Sequence, residues 1–314
     1  MNVIFFFLLA AITVILSIKI SHYADSLSKS SKKMGFIISG LLLAAITSLP
    51  ELVTTLTAVK MNNPHLAIGD VLGSNIFNLF MMAVIDIFII KEFIFSKVSK
   101  NYFYEYLAMI VCYLSIFFLS DNSSFGSIGI PTILLFLSYA FYIAKISKTK
   151  NTIVQDEKPK KGIITKMIIC AILLIASSIF LTKIVNVISL EYPRVSGSII
   201  GAILLGITTS LPEVITFITL IKLKNYNMAL TDILGSNIFN LFVLGISDLL
   251  IKNNPIYIFM DSDSLFLIKI ALVITSLSFI QSLKKQTKYK LFYIIPSVLI
   301  VGVYIYFWII GVVK

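Results

Sequence analysis

The chain has 314 residues, 58% of them hydrophobic, with a mean hydropathy of +0.98 and a formal net charge of +11. So much apolar surface excludes a water-soluble globule of this length. The positive charge would suit either nucleic acid or an anionic membrane surface, and its distribution along the chain decides between them.

A helix needs about 20 mainly apolar residues to cross the hydrocarbon layer. Ten stretches meet that need, at residues 2–20, 34–60, 65–90, 103–120, 127–145, 163–187, 195–222, 227–250, 264–282 and 290–313. The first lacks a basic start and a small-residue cleavage site, so it is expected to stay as an anchor rather than leave as a signal peptide. His22 and His65 fall at span ends with no Cys or His partner at ligand spacing, which makes them interfacial. Cys112 and Cys170 each sit inside an apolar span, where they pack as small hydrophobes. Asn122-Ser123-Ser124 matches a glycosylation acceptor on a loop. With the N-terminus outside, 20 of the 26 basic residues fall on one side, including the cluster from Lys145 to Lys166. By the positive-inside rule that side is the cytoplasm. The expectation is a multi-pass plasma-membrane protein with both termini outside, whose charge reflects topology and not a nucleic-acid partner.

The sequence repeats itself at an offset of 162 residues. TSLPE at 47–51 recurs at 209–213 and LGSNIFNLF at 72–80 recurs at 234–242; across 47–80, 20 of 34 positions are identical to their counterparts. The copies occupy spans two and three, then seven and eight. Five spans separate equivalent elements, and five is odd, so each copy must cross the membrane in the opposite sense to the other. The predicted fold is an all-α polytopic membrane protein of ten transmembrane helices in two inverted-topology five-helix repeats. Residues 1–146 form the first repeat, 147–162 a cytoplasmic linker and 163–314 the second repeat.

Glu51 and Glu213 fall mid-span, where a lone carboxylate is costly and marks a functional site. Each follows a proline, Pro50 or Pro212, that lacks an amide hydrogen and clashes with the carbonyl four residues back, at Ile46 or Thr208. A break or kink is therefore expected beside each glutamate, at a depth where broken backbone must line protein or a cavity. Thr47, Ser48, Thr209 and Ser210 bring hydroxyls to the same places. Asp70, Ser74 and Asn78 are four residues apart and share a helix face, as do Asp232, Ser236 and Asn240. Carboxylate, carbonyl, hydroxyl and amide oxygens are hard ligands, suited to calcium and, by the same logic, to sodium. Asp86 and Asp248, two turns beyond the asparagines, read as interfacial or structural.

At these residues the sequence resembles the cation/calcium exchanger superfamily, especially the prokaryotic sodium/calcium exchangers. The resemblance covers the whole ten-span layout, and its specific part is the doubled run from TSLPE to LGSNIFN. It implies four clustered sites in which Glu51 and Glu213 bind calcium together. Flanking sodium sites would use Thr47, Ser48, Ser74, Thr209, Ser210 and Ser236, with backbone oxygens from Ala44 and Gly206. It also implies that spans one and six slide against the rest. The chain departs from the family pattern in Ile46 and Thr208, where glycine is usual. It carries Asn78 and Asn240 where several relatives have one aspartate, and Asp70 and Asp232 where asparagine is frequent. Two central carboxylates neutralise one calcium ion but leave three sodium ions with an excess positive charge, so Asp70 and Asp232 become candidate ion-path residues that restore negative charge.

The expected activity is secondary antiport of calcium against sodium by alternating access, with coupling because both ions compete for the same glutamates. The ions are substrates, no resident cofactor is expected, and the partners are calcium, sodium and the lipid bilayer. There is no phosphate-cradling GxxxxGK[ST] loop for ATP and no HExxH zinc motif, so an ion gradient is the driving force and an enzyme is not expected. The rivals are a calcium/proton exchanger, since paired glutamates also titrate, and a passive cation channel. The sequence carries no signal for oligomeric state.

Overall fold

The computed structural model describes residues 2–28, 47–88, 94–98, 102–119, 124–125, 128–147, 162–252, 254–283 and 290–313. It is almost entirely helical. In chain order the elements are α1 (Asn2–Ser28), α2 (Leu49–Lys60), α3 (Pro64–Phe88), the short α4 (Ile94–Lys97) and α5 (Phe103–Leu119). A two-stranded ribbon, β1 (Ser124–Phe125) with β2 (Ile128–Gly129), leads into α6 (Ile130–Ser147). Then come α7 (Ile163–Glu191), α8 (Gly197–Ile200), a π-turn (Gly201–Leu205), α9 (Gly206–Lys222) and α10 (Tyr226–Leu250). A 3-10 turn (Ile256–Phe259) precedes α11 (Ser262–Leu283) and α12 (Lys290–Val313). Among the described residues seven helices are long and apolar enough to cross a membrane, and Phe103–Leu119 and Ile130–Lys145 are shorter apolar helices.

Helices α3 and α10, which carry the two LGSNIFN segments, are the hub. In their most apolar windows 72% and 78% of residues are buried, against 33% in α1 and in α7. Around α3 pack α2, α8, the π-turn, α9, α10, α11 and α12; around α10 pack α2, α5, α6 and α9. Helices α1 and α7 lie against each other at the periphery, flanking α2 and α9. An apolar groove of about 560 Å³ separates the start of α1 (Phe6, Phe7, Ala10) from the π-turn and α9 (Ile203, Ile207, Leu211).

The repeated sequence builds the same helical corner twice. Asn62 and Lys224, equivalent positions, adopt left-handed φ of 57° and 58°. After each, an asparagine amide closes back on the preceding helix, Asn63 to the carbonyl of Ala58 at 3.0 Å and Asn225 to that of Leu220 at 2.9 Å. The same asparagines then cap the next helix, their side-chain oxygens accepting from Leu66 and Met228 amides. This accounts for Asn63 recurring as Asn225.

The prolines act differently in the two copies. α2 starts at Leu49, with Pro50 in its first turn, where a missing amide hydrogen costs nothing. In the second copy the expected break at Pro212 is absent: α9 runs through it, and the irregularity is the π-turn just upstream. The wider turn is closed by the Gly206 amide on the Gly201 carbonyl. It lets two backbones meet. A methyl group on Gly206 would stand 2.7 Å from the Ser74 amide nitrogen, and one on Gly73 would collide with the backbone of Ala202. The small-residue seam thus sets α3 directly against the π-turn.

Candidate ion-binding site

Glu51 on α2 and Glu213 on α9 are both fully buried and lie within electrostatic reach of each other. Their hydrogen bonds cross between the copies. Ser48 Oγ donates to Glu213 Oε1 at 2.9 Å, and Ser210 Oγ donates to Glu51 Oε1 at 3.1 Å. Thr47 also hydrogen-bonds to Glu213. The serine of each TSLPE segment therefore orients the glutamate of the other. On both carboxylates the second oxygen, Oε2, has no hydrogen-bond partner.

The two LGSNIFN segments interlock in the same reciprocal manner. Asn78 Nδ2 donates to Asn237 Oδ1 at 3.0 Å, and Asn240 Nδ2 donates to Asn75 Oδ1 at 3.1 Å. Asn75 and Asn237 also donate to each other's backbone carbonyls, at 3.1 and 3.3 Å. With their amide nitrogens engaged, Asn78 and Asn240 keep Oδ1 unpartnered, and Ser236 Oγ is unpartnered as well. Buried polar atoms are nearly always satisfied. Five such oxygens in the repeated segments lack a donor, two of them on carboxylates, and all are of the hard type that suits calcium or sodium.

Other expected positions are placed as follows. Ser74 Oγ donates to the Gly206 carbonyl at 3.4 Å, and Thr209 Oγ1 turns back to the Leu205 carbonyl at 3.0 Å. Ala44 and Ile46 lie outside the described residues, as does Asn122. Asp70 is tied to α2, its Oδ2 accepting from Thr54 and from Thr55 at 2.8 Å, whereas Asp232 has no partner on either oxygen. Asp86 and Asp248 have structural partners. Asp86 accepts from Tyr293, Ser297 and Gln281; Asp248 accepts from the Gly129 and Ile256 amides and Thr132. His65 stands 3.7 Å from Asp261, and His22 bonds to the Ile18 carbonyl. Both cysteines are free, and Cys112 is buried. Among the described residues no three His, Cys, Asp or Glu side chains converge. Sequence reasoning passed over Asn75 and Asn237 as positioning residues. Their identity across the repeat was the available signal.

A buried pair of carboxylates among oriented neutral oxygens thus lies within a bundle of helices long and apolar enough to cross a membrane. The family model described as sodium/calcium exchanger protein matches residues 1–146 and 163–312, and the chain belongs to that family. It is 27% identical over 227 residues to the inner membrane protein YrbG of Escherichia coli (strain K12), covering 68% of this chain and 69% of that protein. Its fold is similar to that of the sodium-calcium exchanger NCX_Mj, with a TM-score of 0.61 and 18% identity over 98% of each chain. It is similar also to the H+/Ca2+ exchanger CAX, with a TM-score of 0.69 and 12% identity, covering 99% of this chain and 88% of that one.

Proposed function

We propose that this chain exchanges calcium for sodium across the plasma membrane by alternating access, as ten spans in two inverted five-helix repeats with both termini outside. Calcium sits between Glu51 and Glu213, completed by Asn78, Asn240 and Ser236. Sodium ions use the neighbouring oxygens of Thr47, Ser48, Ser74, Thr209, Ser210 and the Gly206 carbonyl. The observation that carries this reading is the set of unpartnered buried oxygens on both glutamates and both asparagines. The crossed hydrogen bonds, each matched by its counterpart in the other copy, support a two-fold relation between the repeats. The mutual packing of α1 and α7 at the periphery and the groove beside α1 support a pair that moves against the remaining helices. No ATP, resident cofactor or covalent step is involved.

Reconstituted in lipid vesicles loaded with sodium, the protein takes up labelled calcium against its gradient, and the uptake collapses when sodium is equal on both sides. Uptake driven as strongly by a pH gradient alone would favour the proton exchanger, and uptake needing no ion inside would favour a channel.

A further inference from the structure

The groove beside α1 is about as long as one leaflet of a bilayer is deep. Its walls run from Phe6 to Ile15 on α1 and from Ile203 to Leu211 on the π-turn and α9, stretches of about 14 and 12 Å at roughly 1.5 Å per residue. One leaflet of hydrocarbon is about 15 Å deep, half of the roughly 30 Å core. The groove begins one turn inside the end of α1 at Asn2. It follows two membrane-crossing segments, Asn2–Tyr23 and Gly197–Lys222, and so lies along the direction in which the chains of a bilayer run.

Among the described residues on its walls Thr208 is the one polar side chain, and it is itself buried. Such a surface does not hold water, because apolar cavities stay dry. Left bare, the walls forfeit the dispersion contacts that a close-packed neighbour supplies. Hydrocarbon supplies them. Phe7 and Ile15, 66% and 51% exposed, line the groove where it opens sideways. A second copy of the chain would offer a helix about 10–12 Å across, too wide to pass between α1 and α9, which already touch. A single acyl chain is narrow enough.

The inner end of the groove backs onto the glutamate site. Leu211 on its wall belongs to the second TSLPE segment, between Ser210, which donates to Glu51, and the Pro212-Glu213 pair. Ser210 and Glu213 are fully buried on the far side of that segment from the bilayer. An acyl chain in the groove therefore touches a peripheral helix and the segment that carries Glu213 at the same time. Any displacement of α1 relative to α9 changes the width of the groove and the contacts made by its occupant, so occupancy and helix position are coupled.

We infer that the groove between α1 and α9 binds one acyl chain of a bilayer phospholipid, and that this chain controls how readily α1 moves against the TSLPE segment of α9. The second half rests on the cation-exchange reading; the first does not. The test uses the full chain in phosphatidylcholine vesicles containing a small share of phosphatidylcholine with a diazirine midway along one acyl chain. Photolabelled residues are located by mass spectrometry, and sodium-driven calcium uptake is followed in short-chain and long-chain lipid. In the wild-type chain, label on the groove walls should exceed that on Leu137 and Val298, exposed side chains of α6 and α12. Ala10→Phe and Ile203→Phe fill the groove from opposite walls. By excluding about two methylene groups, each should cut the groove label about tenfold. Ile12→Phe, on the exposed surface of α1 outside the groove, should leave the label unchanged. Groove label no higher than at Leu137 and Val298, label undiminished in both filled variants, or cross-linked pairs of chains in its place overturns the site. The uptake rate should depend on acyl-chain length in the wild-type chain and lose that dependence in the filled variants; an equal dependence in all of them overturns the control of α1. A wild-type chain that takes the label but exchanges no calcium overturns the exchange reading and leaves the lipid site standing.

Discussion

Ser48 and Glu213 are 165 positions apart in the chain and 2.9 Å apart in the fold, and Ser210 and Glu51 repeat the contact in the opposite sense at 3.1 Å. Among the described residues the serine that donates to each glutamate comes from the other copy. The geometry of each carboxylate depends on the other copy being in place, which makes the centre a joint property of α2 and α9.

Ser48→Ala removes a charge-assisted hydrogen bond worth about 1.5–3 kcal/mol, so calcium affinity should fall about 10- to 100-fold by titration calorimetry. Because Ser48 acts through Glu213, the loss should largely vanish when Ser48→Ala is added to Glu213→Gln. Full additivity of the two substitutions would separate the serine from the glutamate.

Asn75→Ala and Asn237→Ala should each weaken calcium binding, although all their polar side-chain atoms are committed to other protein groups. Each leaves a buried donor stranded, Asn240 Nδ2 in one case and Asn78 Nδ2 in the other, at a cost of about 1–3 kcal/mol. Thermal unfolding in detergent should show both effects together, with affinity and melting temperature falling in the same variants.

Gly73→Ala and Gly302→Ala form a contrasting pair. The added methyl group at Gly73 meets the Ala202 backbone, while nothing lies within 4 Å of the one at Gly302. Thermal unfolding should find the first destabilised by about 3 kcal/mol and the second unchanged or stabilised by about 0.5–1 kcal/mol, since alanine is the better helix former. Equal melting temperatures would contradict the backbone seam between α3 and the π-turn.

Asp86→Ala should destabilise the fold by about 3 kcal/mol or more, because Tyr293, Ser297 and Gln281 lose their shared buried acceptor. Calcium affinity of the folded protein should stay within about threefold of wild type, less than the roughly 1.4 kcal/mol of a tenfold change. A large loss of affinity at undiminished stability would move Asp86 from scaffold to ion path.

Much of this was legible in the sequence because its physical basis is local. Apolar runs define the helices, and the 162-residue offset exposes the paired TSLPE and LGSNIFN segments. The i, i+4 spacing puts Ser74 with Asn78 and Ser236 with Asn240. Three features went unread. Asn75 and Asn237 lie on helix segments buried on all sides, where no polar face singles them out and only their recurrence in the repeat marks them. The π-turn at Gly201–Leu205 follows from how closely α3 must approach Gly206, and a proline-based expectation put the irregularity one to two turns too late. The inequality of Asp70 and Asp232 comes partly from Thr55 and Phe217, fifteen residues earlier in each copy, and partly from packing, since Thr54 donates to Asp70 while its counterpart Thr216 leaves Asp232 unpartnered.

Calcium titration of wild type, Glu51→Gln and Glu213→Gln tests the joint centre most directly. Each glutamine keeps the side chain's size and removes one negative charge from a site that has two. The account predicts that either substitution alone weakens calcium binding at least about 100-fold, roughly 2.7 kcal/mol, and stops calcium transport in a protein that still folds. Near wild-type affinity in either variant would mean that one carboxylate suffices and that the two halves do not hold the ion together.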